Sequence, residues 1–100
     1  MIDLSQYRTL PQIQEEIKER MVARRKEKHL SQQKLASQSG VSLGSIKRFE
    51  RTNEISLSSL LKIASVLDDL ESFDQIFTKQ HFNSIEEVIA LAKSNTRKTR

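Results

Sequence analysis

Three cations, Lys47, Arg48 and Arg51, recur at helical spacing on one side of the stretch 42–51, SLGSIKRFER, beside the bare Gly44. Ile46, Phe49 and Glu50 fall on the other side, so one face is tied to a core and the other offers charge. Lysine and arginine so placed suit neutralisation of a phosphate backbone. The Arg48 guanidinium can also donate to O6 and N7 of a guanine together, which makes it the leading base reader. Ser45 and Lys47 come next, and Leu43 at the helix start can pack on a thymine methyl. Gly44 stands among these base-facing positions without a side chain to read with. Arg51, Thr52 and Asn53, with Ser42 and Lys34 upstream, are candidate phosphate contacts. The bland alternative for such a stripe is a solvated helix face.

Short elements flank and position this stretch. Ser31 is an N-cap for a helix over Gln32–Ser39 that turns Leu35 and Ala36 inward, and Gly40 can end it in the left-handed conformation. Val41 is a buried plug, and Ser42 caps a second helix through about Arg51. Upstream, Thr9-Leu10-Pro11-Gln12 opens a helix reaching about His29, with Ile13, Ile17 and Met21 inward. Downstream, Ser56 caps a helix whose core stripe is Leu57, Leu60, Leu61, Ala64 and Leu67. Ile63 and Val66 lie off that stripe, available to a C-terminal extension. Asp69 or Ser72 opens a short helix bearing Leu70, Phe73, Ile76 and Phe77. Ser84 and Glu87 form a capping box before Ile85, Val88, Ile89 and Ala92. That last helix either closes the core or makes a two-fold dimer or partner surface with Phe73, Phe77 and Phe82. The basic tail 93–100 is predicted to be disordered, and residues 1–10 form an arm or a loose terminus. The expectation is an all-α fold: one compact domain of five to six helices over 1–92.

The run Leu30-Ser31-Gln32, Leu35-Ala36, Gly40-Val41-Ser42, Ile46 and Phe49-Glu50 resembles the helix–turn–helix of Cro/C1-type (lambda-repressor-like) regulators. The likeness covers roughly residues 17–70. It implies a DNA-binding domain of that fold, with Arg25 paired to Glu50 and Gln32 touching phosphate while bracing the base-reading side chain. Gly44 departs from the pattern, since such proteins carry a long polar side chain there. A weaker likeness, in SLGSIKRFERTNEISLSSLLKIASVL followed by LDDLESFDQIF, is to HipB-like partners of HipA-type kinase toxins.

Charge distribution fits two partners of different kinds. The net charge is +4, from 17 basic and 13 acidic residues, but residues 18–34 are mostly basic and residues 68–87 mostly acidic. The absence of cysteine excludes disulfides and thiol chemistry. His29 and His81 stand outside any metal-ligand spacing, and no glycine-rich phosphate loop occurs, so no cofactor and no enzymatic activity are expected. The longest apolar run, VIALA, cannot span a bilayer, and a cytoplasmic location is expected.

These readings converge on a sequence-specific repressor that binds a pseudo-palindromic operator in double-stranded DNA as a homodimer and controls its own operon. A HipB-like role beside a HipA-type kinase toxin is one elaboration. The alternatives are a phage-type or other regulator without a toxin partner, and a protein-interaction module that keeps the fold without reading DNA.

Overall fold

Each α-helix whose start is described begins at a hydroxyl. The structure, a computed structural model, describes residues 8–79 together with Ile89 and Ala92. Thr9, Ser31, Ser42 and Ser56 precede α1 (Leu10–Glu27), α2 (Gln32–Ser39), α3 (Leu43–Thr52) and α4 (Leu57–Val66). Each side-chain oxygen accepts from the backbone N–H three residues on, satisfying a donor that the helix leaves without a partner. At Thr9 the box is complete, because the Gln12 side chain accepts from the Thr9 N–H at 2.7 Å. The exits are as local. Gly40 ends α2 at φ 79° and Asn53 ends α3 at φ 66°, two residue types that tolerate the left-handed region.

The described residues are all helical or connecting. α2 packs against α3 and α4, and α1 packs against α3. Met21, Leu35, Val41, Ile46, Phe49, Ile63 and Leu67 form the buried core, with Val22, Leu30, Ala36, Ile55, Leu60 and Val66 packed around it.

Two expectations are corrected. Ile63, placed off the stripe of α4 from the sequence, is wholly buried, whereas Leu57 is 63% exposed. The buried line runs through Leu60, Ile63, Ala64 and Leu67, and Leu57 lies roughly 70° from its centre at 100° per residue. Ile17, expected inward, is also partly exposed and faces a groove bordered by Leu60, Ile63 and Phe73. The short helix expected after α4 is present as a 3-10 helix, Leu70–Gln75, preceded by Asp69. Every third residue then falls in line, so Leu70, Phe73 and Ile76 share one side. Phe73 is half-buried, while Phe77, beyond the helix end at φ 65°, is fully exposed. Phe82, Ile85 and Val88 of the expected partner surface lie outside the described residues; Ile89 is helical and half exposed.

Two polar ties join distant elements. Lys28 at the end of α1 donates to Asp68 beyond α4, and this bond holds the Asp68 carboxyl below its ordinary range. The Asn53 amide donates to Glu15 of α1 at 2.7 Å; that bond, helped by Lys18, holds the Glu15 carboxyl below its ordinary value of 4.5. A carboxyl whose folded value is lowered contributes fully above its unfolded value, and the contribution is lost as pH falls through the folded one. Thermal unfolding followed from about pH 6 to about pH 3 should therefore show a smaller acid-induced loss for Glu15→Gln than for the wild type. Parallel curves would show that the Glu15–Asn53 tie adds nothing to the fold.

Candidate nucleic-acid interface

α3 is held from beneath by two buried side chains, Ile46 and Phe49, and from its flank by Glu50. The Arg25 guanidinium is nearly buried and grips Glu50 with two bonds, Nε to Oε2 at 3.0 Å and Nη2 to Oε1 at 3.1 Å. Its Nη1 donates to the Leu30 carbonyl at 2.8 Å. Gln32 donates to Glu50 Oε1 at 2.9 Å, so the carboxylate is shared by α1 and the first turn of α2. A buried ion pair is favourable only when its polar atoms find further partners, and here each nitrogen of Arg25 and each oxygen of Glu50 has at least one. The network fixes how far α3 stands out from the domain.

The outer side of α3 is open. Gly44 is exposed, and a Cβ built there would meet nothing within 4 Å, so crowding inside the domain does not explain the glycine. Lys47 and Arg51 are exposed and have no ion-pair partner among the described residues. Lys34, also exposed, points its charge to solvent from α2. Ser42 Oγ donates to Ser45 Oγ at 2.8 Å, which leaves the Ser45 hydroxyl proton available. Leu43 is half-buried at the helix start.

Several expected contacts are otherwise engaged in the free protein. The Thr52 hydroxyl donates back to the Arg48 carbonyl at 2.7 Å. The Asn53 N–H goes to the Phe49 carbonyl and its amide to Glu15, because the left-handed cap turns the side chain toward α1. Asn53 Oδ1 is buried with no partner. In the free protein the Thr52 hydroxyl proton and one of the two Asn53 amide protons are thus committed within the domain. One Gln32 amide proton likewise serves Glu50, leaving the other proton and the carbonyl oxygen for other contacts.

The sequence reading did not pick out Glu54. Its carboxylate accepts from Arg48 Nη2 at 2.9 Å, with both side chains exposed. No helical period links positions 48 and 54, since the chain has reversed at Asn53; only the asparagine cap hints at the approach. Among the described residues, no group of His, Cys, Asp and Glu is arranged to hold a metal ion, and no helix is long and apolar enough to cross a membrane.

A family model described as "Helix-turn-helix" matches residues 21–72, just over half the chain, and spans α2, α3, α4 and the network that seats them. No curated protein and no solved structure gives a significant match.

Proposed function

Because the chain belongs to the Cro/C1-type helix–turn–helix family of DNA-binding transcription regulators, we propose that it is an operator-specific repressor that inserts α3 into the major groove. One observation carries this reading. α3 is seated by Ile46, Phe49 and the Arg25–Glu50–Gln32 network, so Gly44, Ser45, Lys47 and Arg48 project together from a rigid base. Phosphate attraction comes from Lys34, Lys47 and Arg51, and base discrimination from Arg48.

One α3 touches too few base pairs to select a site, and two copies on half-sites one helical turn apart would read a pseudo-palindrome. The exposed Ile76 and Phe77, beside Leu70, supply an apolar surface for the second copy. A cytoplasmic repressor acting on its own operon is the simplest setting. The second reading, a regulator that also holds a protein such as a HipA-type kinase, is favoured by the same apolar residues standing among Asp69, Glu71 and Asp74.

The test is binding to the duplex upstream of the protein's own gene against a scrambled duplex, at one fixed salt concentration. Tight binding to the first alone is expected. Arg48→Ala should weaken it by about 1–3 kcal/mol at particular base pairs, leaving the unfolding midpoint in place. Equal, weak binding to both duplexes would overturn the repressor reading.

A further inference from the structure

Arg48 differs from the cations around it. Lys47 and Arg51 have no acidic partner among the described residues, whereas Arg48 is held by Glu54. With side chains 64% and 63% exposed, this pair contributes little to the fold. Yet the backbone carrying Glu54 is closely fixed. Its N–H donates to Thr52 Oγ1 at 3.3 Å, and the Thr52 hydroxyl donates to the Arg48 carbonyl. Asn53 is locked in the left-handed cap by its bonds to Phe49 and Glu15, and Ser56 opens α4 three residues later. A rigid corner thus carries a carboxylate to one edge of a guanidinium that needs no structural partner.

Resting on the DNA reading above, we infer that Glu54 is a specificity-determining residue that withholds Arg48 from phosphate and leaves it free to read a base. A single bond from Nη2 occupies one of the five guanidinium N–H donors, so a two-bond contact to guanine is still available. The two possible targets then differ in charge. A phosphate drawn to Arg48 must approach the Glu54 carboxylate, which repels its full charge, while the guanine edge carries no net charge and is opposed far less. Glu54 therefore lowers affinity for DNA at large more than affinity for the right sequence. The pair also keeps the guanidinium oriented before DNA arrives.

The experiment uses the full chain and a 5′-labelled random-sequence duplex as probe, titrated at several salt concentrations. Wild type, Glu54→Gln, Arg48→Ala, the double variant and Glu71→Gln are compared. Glu71 is a similarly exposed acid on the 3-10 helix and controls for the change in net charge. Glu54→Gln is expected to tighten random-sequence binding about two- to fivefold and to steepen the salt dependence by about 0.9 in log–log slope, one additional phosphate contact. Both effects should vanish in the Arg48→Ala background, and Glu71→Gln should produce neither. No change in Glu54→Gln, or an equal gain in the Arg48→Ala background, overturns the inference while leaving the repressor reading intact. If instead the upstream duplex is not preferred but Glu54→Gln still acts through Arg48, the repressor reading fails and the restraint stands. A wild type that binds no DNA overturns both.

Discussion

Glu50→Ala is expected to cost about 3–5 kcal/mol of folding stability, because it strands the Arg25 guanidinium in a nearly buried position without its carboxylate. Against a total stability of about 5–15 kcal/mol for a domain of this kind, that is a large part of the margin. Arg25→Ala should cost a similar amount by leaving Glu50 to the Gln32 amide alone. The double replacement Arg25→Met with Glu50→Leu removes both charges and restores apolar volume, so most of the loss should be recovered. Urea denaturation of the four proteins measures each loss and the recovery. A Glu50→Ala variant within about 1 kcal/mol of wild type would show that the pair acts like an ordinary surface bridge.

The second large effect is expected at Phe49. Together with Ile46 it is the buried anchorage of α3, and Phe49→Ala should destabilise the protein by about 3–5 kcal/mol through lost burial and the cavity left behind. DNA binding should fall with the folded fraction and recover under conditions that restore folding. Arg48→Ala separates the two properties, since its exposed side chain leaves the midpoint where it was while site selection is lost. Unfolding curves and duplex titrations on the same samples distinguish the cases. A Phe49→Ala protein that keeps its midpoint would mean that Ile46 and the Arg25–Glu50 network seat α3 without it.

What the sequence made legible was mostly local. Thr9, Ser31, Ser42 and Ser56 each stand directly before a helix, and the cap geometry depends only on the next three residues. Gly40 marked the turn for the same reason. The Arg25–Glu50 link spans 25 positions and came from family likeness; no local rule would have joined those residues. The rotation of α4 was not legible, because leucines at 57, 60, 61 and 67 permit more than one buried line until α2 selects it. The 3-10 winding of Leu70–Gln75 was hidden as well, since apolar residues three and four apart fit either helix. Within the candidate site, the exposed cations followed from helical spacing. The partners of Thr52, Asn53 and Arg48 did not, because each depends on the chain reversal at Asn53 and on where α1 lies beneath it.

The lengths of α2 and α3, 8 and 10 residues, have a further consequence. Helices shorter than about 12–15 residues do not persist alone in water. The proposed reading surface therefore has no existence apart from the 18-residue α1 that clasps it from more than twenty positions away. Excised as a peptide it would be coil, and a protease that cut the α1–α2 connection would silence the regulator without touching a DNA-facing residue. The lifetime of that surface would then be set at the back of the molecule, by how long α1 keeps its grip.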